Sequence, residues 1–499
     1  MYKPIIWSLA IMALLMGASP SPAPAQDWST PVRISGPGGC EYPQILAIGD
    51  TLHVVYTYAR DGGRIEYVRS SNGGRGWGQP AMLSDTANSS VTYWARVMAN
   101  GGWALAVWKA SEDAWPYRNN VYCAQSTDGG RSWGPEAALL QPGLVPNFYL
   151  DATSSGPLVN AVYGFYEGES GRFQGLRSTD FGETWSSPSE VFPFYNAGAI
   201  SMASFGETVH LAWGGRFAPT ETYEVYHAKS TDGGLTWGPN AMVSEDDGRP
   251  SQLPSLALDD SGNVALAWWD MKYSPNYTVG DILVRLSFNA GETWGPEGVA
   301  TTCHTADFSD VAWDGDTIRI TWEDQRAFPE GRMVYYTQSP NLIDWSPELR
   351  LDVEPEASFN PALAVWGGRV FAVWGDAICN PDTDICGGLY FSMYPYEPDG
   401  VSEDAAEGLP GRASLLAYPN PFNSSTIIYY SFSNVEKGGD LEIFDLRGRV
   451  VCSFRTEGSS GIIEWDATDA MENKISSGIY FARASASQEE KTIKLIYLK

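Results

Sequence analysis

The sequence is poor in cysteine, histidine and basic residues. Among 499 residues there are six Cys and four His, and six cysteines are too few to define a disulfide-held scaffold, which a chain of this size does not need. There are 32 Lys and Arg against 60 Asp and Glu, for a net charge of −28. This charge argues against nucleic acid as a partner and against adhesion to anionic membranes. It suits a soluble protein displayed outside the cell.

Long apolar runs are missing after residue 25. Lys3 precedes the apolar run Ile5–Met16, and Ala23-Pro24-Ala25 supplies the small residues of a cleavage site, so we interpret residues 1–25 as a secretory signal peptide. No other stretch approaches the roughly 18 to 20 apolar residues of a membrane span. We therefore expect an exported protein with no transmembrane segment in its mature form.

No pattern in the sequence predicts a cofactor or a metal ion. The segment Asn380–Asp384 has oxygen-bearing side chains at alternate positions. It lacks the Gly and the terminal Glu of a calcium-binding loop, and we interpret it as an acidic turn. Cys379 and Cys386 flank this segment and are spaced for a local disulfide. We expect neither a cofactor nor a metal site.

What the sequence does contain is an eight-residue motif that occurs six times. S-x-D-x-G-x-[TS]-W is intact at 126–133, 178–185 and 230–237; the copies at 70–77 and 287–294 have Asn in place of Asp, and a shortened copy ends at Trp345. The final Trp residues recur every 51 to 57 residues, a period typical of β-propeller blades. Because Asp accepts backbone N–H groups and Gly provides a positive φ in tight turns, we interpret Asp128, Asp180 and Asp232 as turn residues.

These eight residues resemble the Asp box, or BNR repeat, of the sialidase superfamily. The resemblance implies a β-propeller in which each box closes the hairpin between the third and fourth strands of a blade. In that family the boxes lie on the face opposite the catalytic one. The resemblance is specific for the turn and says little about chemistry, because function resides in sites grafted on folds.

Seven alternating apolar runs, each ending in an aromatic residue, predict the second strands of the blades. They are His53–Tyr58, Trp103–Trp108, Val159–Phe165, Val209–Trp213, Val264–Trp269, Ile318–Trp322 and Arg369–Trp374. The seventh unit, 359–394, has no box and no fourth strand, whereas 28–35 resembles a fourth strand without a blade. Pairing these two segments would leave no blade with a missing strand and the unpaired edge that goes with it. The sequence thus predicts an all-β fold with a seven-bladed propeller over 26–396, with six blades as the alternative.

The tryptophans that end these runs are expected to pack between blades rather than to bind a ligand. They are Trp108, Trp213, Trp269, Trp322 and Trp374.

A different composition begins after an acidic linker at 397–412. Ala417–Asn423 contains Y-P-N-P-F, and D-x-x-G-R-x-V and S-G-I-Y follow in residues 445–480. Their order resembles the type A sorting domain of the type IX secretion system, a small immunoglobulin-like β-sandwich, across 413–499. The resemblance implies export through the outer membrane of a Gram-negative bacterium, with the secretion machinery as a partner. The alternative is an accessory binding sandwich.

Candidate functional residues lie in the connections on the face opposite the boxes, which propellers commonly gather around the mouth of the central channel. The connections that follow the second strands supply Tyr58, Arg60, Asp61, Lys109, Glu112, Glu167, Arg216, Asp270, Lys272, Tyr273, Glu323, Asp324, Arg326 and Asp376. Those that lead into the first strands supply Glu41, Tyr42, Tyr93, Trp94, Arg96, Asn147, Tyr149, Arg249, His304, Asp307 and Asn360. From these we select Arg60, Trp94, Arg216, Arg249 and Arg326 as substrate-binding candidates.

The sialidase resemblance implies three arginines on a substrate carboxylate, an Asp acid/base and a Tyr nucleophile. An R-I-P segment carries the first arginine in that family, but the corresponding place here is Glu41-Tyr42-Pro43. A different clamp would use Arg216, Arg249 and Arg326, since guanidinium groups match carboxylates. Tyr273, near Asp270, is the candidate nucleophile.

Two functions follow, both with an extracellular glycan or glycoprotein as the partner. The first is a secreted glycoside hydrolase, or alternatively a lyase, whose catalytic carboxyls come from Asp270, Glu323, Asp324 and Asp376, with one kept protonated by burial. The second is a surface propeller that binds glycan or protein without catalysis.

Overall fold

The computed structural model describes residues 28–59, 63–84, 91–111, 119–140, 146–167, 170–274, 279–326, 331–352, 358–376, 379–380, 385–395, 414–418, 422, 425–431, 439–456, 460–471, 473–486 and 489–498. The predicted signal peptide, the linker at 397–412, Arg60 and most of the segment Asn380–Asp384 lie outside these residues. Within them the regular structure is β-strand throughout, and no helix is long and apolar enough to cross a membrane.

Most of the strands form seven four-stranded antiparallel sheets, which we call blades 1 to 7. The first strand of the chain, β1 (Val32–Arg33), belongs to blade 7. Blade 1 contains β2 (Cys40–Ile48), β3 (Thr51–Tyr58), β4 (Arg64–Ser70) and β5 (Ala81–Met82); blade 2 contains β6 (Val91–Asn100), β7 (Trp103–Ser111), β8 (Asn119–Ser126) and β9 (Ala137–Ala138). Blade 3 contains β10 (Pro146–Ser155), β11 (Leu158–Glu167), β12 (Ser170–Ser178) and β13 (Ser189–Phe194); blade 4 contains β14 (Asn196–Phe205), β15 (Thr208–Arg216), β16 (Glu224–Ser230) and β17 (Ala241–Met242).

The remaining blades repeat this order. Blade 5 contains β18 (Ser251–Leu258), β19 (Val264–Asp270), β20 (Asp281–Ser287) and β21 (Gly298–Val299); blade 6 contains β22 (Ala306–Asp314), β23 (Thr317–Asp324), β24 (Met333–Ser339) and β25 (Leu349–Arg350). Blade 7 contains β26 (Ser358–Trp366), β27 (Arg369–Asp376), β30 (Leu389–Tyr394) and β1, with the short ribbon β28 (Cys379–Asn380) and β29 (Ile385–Cys386) before β30. Cys379 is opposite Cys386 in that ribbon. The architecture is a β-propeller.

The two ends of the propeller segment pair with each other, as predicted. Val32 of β1 is opposite Phe391 of β30, and the Ser29 carbonyl accepts the hydroxyl of Ser392 at 2.7 Å. The innermost strands also close the circle, because β2 contacts both β6 and β26. The ring is therefore held by its own first and last strands.

The repeated motifs form turns between the third and fourth strands, on what we call the box face. In blade 2 the Asp128 carboxylate accepts the Ser126 hydroxyl at 2.8 Å and the backbone N–H of Ser132 at 2.8 Å. These bonds hold the pKa of Asp128 well below its usual range, with the Ser132 hydroxyl as the largest cause. The backbone N–H of Gly129, in the same box, donates to the carbonyl of Gly102 at 2.8 Å. Gly102 lies in the hairpin between the first two strands of the blade. The predicted turn role of Asp128 is confirmed by these bonds.

The aromatic residues of the second strands are buried between blades. Trp108, Trp213, Trp322 and Trp374 are each at most 1% exposed. In blade 5 the prediction named the wrong tryptophan: Trp268 occupies this position at 0% exposure, while Trp269 is only partly buried against a neighbouring core. The sequence Trp-Trp-Asp left the register ambiguous by one residue, and a shift of one residue reverses the side of a strand to which a side chain points.

A belt of side chains on the innermost strands ties successive blades together. In five of the seven blades one such residue accepts a hydrogen bond from a backbone N–H of the next blade, which satisfies a donor in the wall of the channel. The pairs are Gln44 with Val97, Asp151 with Met202, Ser201 with Leu256, Ser255 with Val311, and Asp310 with Leu363, at 2.7 to 3.2 Å.

The C-terminal residues form two further antiparallel sheets. One contains β31 (Ser414–Tyr418), β32 (Thr426–Ser431) and β35 (Ser460–Trp465); the other contains β33 (Asp440–Asp445), β34 (Val450–Arg455), β36 (Gly478–Ala486) and β37 (Glu489–Tyr497). Trp465, 1% exposed, lies in a core that both sheets share. This unit is a β-sandwich.

Candidate functional site

The face opposite the boxes, which we call the mouth face, is shaped by a bulge in each innermost strand. In each of the seven blades the register between the first and second strands shifts just after the first strand begins. Such bulges re-aim side chains and are common next to functional sites. The residues at the equivalent bulge position are Tyr42, Trp94, Tyr149, Ala199, Leu253, Phe308 and Asn360. Five of them have the positive φ that non-glycine residues rarely adopt, namely Tyr42, Trp94, Leu253, Phe308 and Asn360.

Three consecutive blades place an aromatic residue at this position. The ring centroid of Trp94 lies 5.7 Å from that of Tyr42 and 4.8 Å from that of Tyr149, with the rings tilted rather than parallel. We call Tyr42, Trp94 and Tyr149 the aromatic arc. All three are only partly buried and line the mouth of a channel cavity of about 620 Å³. A concave site with aromatic walls and a few polar groups is the usual form of a small-molecule pocket.

Deeper in the channel the wall carries a buried ion pair. Nε of Arg96 lies 2.5 Å from Oδ1 of Asp151, which is 3% exposed. Burial raises the pKa of Asp151, and the Arg96 charge and the Met202 N–H oppose that rise. Burial likewise raises the pKa of Asp310, across the channel in blade 6. Both carboxylates belong to the belt that joins the blades, so their first role is structural.

Glu323 is the predicted catalytic residue with the most perturbed environment. It is 0% exposed, and burial raises its pKa to about 7. Asp307 is directly opposite Glu323 in the strand register, and its charge contributes to this rise in the pKa of Glu323, which the Arg332 charge opposes. The guanidinium of Arg332 pairs with Oε1 of Glu323, and the backbone N–H of Asn360 donates to Oε2 at 3.3 Å. Blade 6 therefore brings together two carboxyls and one arginine at the mouth face.

Two of the predicted catalytic aspartates, Asp270 and Asp324, accept several hydrogen bonds at the ends of their strands. Asp270 accepts Trp268 Nε1 at 2.7 Å and the Ser251 hydroxyl at 2.8 Å. Asp324 accepts Trp322 Nε1 at 3.0 Å and a two-point contact from Arg326. Both are almost fully buried. In both blades the Asp thus holds the interblade Trp two residues before it, through the indole N–H, at the end of the second strand.

Three of the predicted arginines are each engaged by other groups of the protein. Arg216 donates to the Pro219 carbonyl at 3.0 Å and lies over the Tyr223 ring. Arg249 donates to the Ser274 carbonyl at 3.0 Å. Arg326 pairs with Asp324 and with Glu348, at 2.6 and 2.8 Å. The structure does not show these three groups assembled into one clamp.

Tyr273, the predicted nucleophile, is 46% exposed. The ammonium of its neighbour Lys272 lies 5.7 Å from the Tyr273 ring centroid. Arg60, the remaining candidate, lies outside the described residues.

Sequence reasoning named His304 as a loop residue but gave it no role. His304 Nδ1 lies 2.6 Å from Oδ2 of fully buried Asp281, which also accepts the His304 backbone N–H at 2.9 Å. The His304 side chain is 42% exposed. Asp281 is more than twenty residues away in sequence, on the neighbouring blade. No local sequence motif therefore predicts this pair. Among the described residues, no group of three His, Cys, Asp or Glu side chains is placed to hold a metal ion.

Comparison with known proteins identifies the C-terminal unit and the fold of the remainder. Residues 416–498 match the family model of the secretion system C-terminal sorting domain. No curated protein sequence matches the chain. Among solved structures, a polysaccharide lyase of family PL25, an ulvan lyase, superposes with a TM-score of 0.51 at 12% identity, over 72% of this chain and 95% of its own.

Two further structures resemble the chain less closely. An α-L-arabinofuranosidase of Fusarium graminearum has a TM-score of 0.45 at 15% identity, over 61% of this chain and 93% of its own. A Hadza microbial sialidase has a TM-score of 0.44 at 13% identity, over 69% and 73%. At these identities the likeness is one of fold. The sorting domain places the protein among those secreted to, or displayed on, the outer surface of a Gram-negative bacterium.

Proposed function

We propose that this secreted propeller acts on extracellular glycans and binds a sugar chain at the channel mouth, on the mouth face. The aromatic arc of Tyr42, Trp94 and Tyr149 carries this proposal. The C–H faces of sugar rings pack on aromatic rings, whose large apolar surface loses little conformational entropy on binding. Three such rings in series match successive sugar units better than a single compact ligand.

The bulge that carries the arc is strained. Tyr42 and Trp94 have φ values of 49° and 50°, and non-glycine residues held in this region cost free energy that the surrounding fold must offset. Leu253, Phe308 and Asn360 share this conformation, so the strain belongs to the bulge position itself. The feature that distinguishes the arc, and that supports a binding role, is its three aromatic side chains.

Replacing Trp94 by Ala tests the proposal. A central aromatic contact of this kind contributes about 2 kcal/mol, so we expect roughly 30-fold weaker binding of whichever oligosaccharide a glycan array identifies. The matched control is Trp366→Ala, because Trp366 also lines the channel but lies where β26 ends, toward the box face. Equal loss of binding in both variants, or none in Trp94→Ala, would contradict the assignment of the mouth.

A second function, glycoside hydrolysis, is favoured by the Glu323 and Asp307 pair. A carboxyl with a pKa of about 7 is protonated in part at neutral pH and is able to donate a proton to a glycosidic oxygen. Residues directly opposite in antiparallel strands have Cβ atoms about 4.5–5.5 Å apart. Since Glu323 is buried beneath Arg332, whose side chain is 44% exposed, catalysis requires Arg332 to swing away when substrate binds. Catalytic roles for Asp270, Asp324 and Tyr273, as in a sialidase-like hydrolase, remain predictions.

Hydrolysis is tested with Glu323→Gln. We expect loss of at least about 100-fold in turnover of the bound glycan, the contribution typical of a general acid, with oligosaccharide affinity retained. Glu348→Gln serves as the control, because Glu348 pairs with Arg326 on the same blade. Full turnover in Glu323→Gln would exclude Glu323 as the general acid, whereas absence of any turnover in the wild type would leave binding as the sole function.

A further inference from the structure

A nearly buried cation lies beside the aromatic arc. Lys109, on β7 of blade 2, is 8% exposed, and its ammonium lies 5.3 Å from the ring centroid of Trp94. Burial alone lowers its pKa to about 8. Within the described part of the chain, no carboxylate forms an ion pair with it. An ammonium in this position has lost much of its hydration without gaining an anion in exchange.

The fold does not require a cation at this place. The same position, directly after the interblade aromatic residue of the second strand, is occupied in blades 1 to 7 by Thr57, Lys109, Gly164, Gly214, Trp269, Glu323 and Gly375. A hydroxyl, an apolar ring or no side chain at all therefore serves equally well in the ring of blades. Burial of an unpaired ammonium costs several kcal/mol in general, and no carboxylate of the described residues offsets this cost, so an anionic ligand bound at the mouth would stabilise the ammonium.

We propose that the glycan bound at the mouth carries an acidic group, a carboxylate or a sulfate ester, which the Lys109 ammonium binds while the sugar ring packs on Trp94. This inference rests on the proposed function, since it names the chemical class of the ligand for the same site. The other cation of the channel wall, Arg96, is already engaged by Asp151. Of these two cations of the described residues, Lys109 is therefore the one with donors left for a ligand.

The strongly negative chain does not prevent such binding. The net charge of −28 repels an anion at long range, but at physiological salt charges separated by more than about 8 Å are largely screened. At shorter range, burial raises the pKa of Glu41, which favours its neutral form beside the arc. The contact with Lys109 is a charge-assisted hydrogen bond in a partly dry site, where such bonds are strongest.

The test compares three oligosaccharide probes with the purified full-length protein: an oligogalacturonate, a sulfated galactan fragment and a neutral galactan fragment. We expect tighter binding of one acidic probe than of the neutral one. In Lys109→Met that acidic probe should bind about 10- to 100-fold more weakly, the equivalent of one hydrogen bond to a charged group, while neutral galactan should be unaffected. Lys229→Met, on the box face where Lys229 pairs with Glu292, removes the same charge as a matched control. Which acidic probe responds distinguishes carboxylate from sulfate.

The outcomes separate this inference from the proposed function. Loss of all binding in Trp94→Ala, together with unchanged acidic-probe affinity in Lys109→Met, would overturn the inference alone. Unchanged binding in Trp94→Ala would overturn the mouth assignment. A wild-type protein that binds neither acidic probe, or binds both acidic and neutral probes equally, would also overturn the inference. Misfolding is excluded by thermal unfolding, because Lys109→Met replaces an unpaired buried charge by an apolar chain of similar length and should leave Tm unchanged or raise it.

Discussion

The two faces of the propeller differ in how similar their equivalent residues are from blade to blade. On the box face, equivalent residues do the same work from blade to blade: Ser126, Ser178 and Ser230 each donate to the Asp two residues later, at 2.7 to 2.8 Å. On the mouth face the equivalent bulge residues range from Ala199 to Trp94. Uniform positions stabilise the fold, and the positions that diverge mark where one region of the ring differs in function.

The difference extends to how polar groups are satisfied. Each box carboxylate bonds to backbone and hydroxyl groups of its own turn, so the motif is complete within eight residues. At the mouth face some partners come from distant segments, as with His304 and Asp281 or Glu323 and Asn360. The box face is therefore expected to respond to substitution through stability, and the mouth face through binding.

Of the predicted changes, acid should produce the largest loss of unfolding free energy, and it should act through histidines on the box side of the propeller. His210 Nδ1 and His227 Nε2 lie 3.0 Å apart in the core, and His227 packs against Gly291 and Trp294 of the next box. Burial lowers their pKa values to about 4 and about 3, from 6.5. Since the unfolded chain binds these protons more readily, the stability they contribute is present above pH 6.5 and is lost as pH falls toward the folded values. Each histidine should cost roughly 3 kcal/mol of unfolding free energy between pH 7 and 4.5.

His227→Tyr isolates one of these contributions. In blade 1 the corresponding pair is His53 and Tyr67, with 2.7 Å between His53 Nδ1 and the Tyr67 hydroxyl, so the substitution copies an arrangement that the protein already contains. Denaturant unfolding at pH 7 and pH 4.5 should show a smaller loss in the variant. An unchanged loss would place the acid sensitivity elsewhere.

A glycine of the box should be the next most sensitive position. Gly130 has φ +82°, and a Cβ there would lie 2.1 Å from the Tyr67 hydroxyl oxygen, which is fixed by its bond to His53. Gly130→Ala combines backbone strain with this clash and should lower the unfolding free energy by about 3 kcal/mol, measured by denaturant titration. The control Gly101→Ala, at φ +58° with open space around it, should cost about 1 kcal/mol. Glycan affinity per folded molecule should not change in either variant.

The sequence was most informative where structure is local. The box turns, the second strands and the pairing of 28–35 with the seventh unit all follow from short patterns whose bonds lie within the pattern or at a sheet edge. The register of blade 5 did not follow, because Trp268 and Trp269 are equally good aromatic residues and only packing against the neighbouring blade distinguishes them. The turns are determined by hydrogen bonds within a few residues, whereas the register of a strand depends on packing against residues far along the chain.

The candidate site was harder to predict from the sequence, because it too depends on contacts between distant segments. Trp94, Glu323, Lys109 and Asp307 were all on the mouth face in the sequence argument, but nothing in the sequence showed that Trp94 lies between Tyr42 and Tyr149. Nor did it show that Asp307 is opposite Glu323, because the bulges that set both relations shift the register within strands. The sequence argument selected Asp270 and Asp324 as catalytic carboxyls from their place in the mouth-face connections, whereas the structure gives both of them hydrogen bonds to the interblade tryptophans.

Asp270→Asn sharpens the comparison between structural and catalytic positions at the mouth face, with the smallest expected effect. Oδ2 of Asp270 accepts Trp268 Nε1 and the Ser251 hydroxyl, and Oδ1 accepts the backbone N–H of Lys272 at 2.7 Å. An amide has one accepting oxygen, so the variant loses bonds on one side, which should cost about 1 kcal/mol of unfolding free energy. If Asp270 is structural, any turnover per folded molecule stays at the wild-type level, in contrast to Glu323→Gln. If turnover disappears while the unfolding free energy stays the same, Asp270 belongs to the catalytic machinery, and the division between strand-end aspartates and the Glu323 and Asp307 pair is wrong.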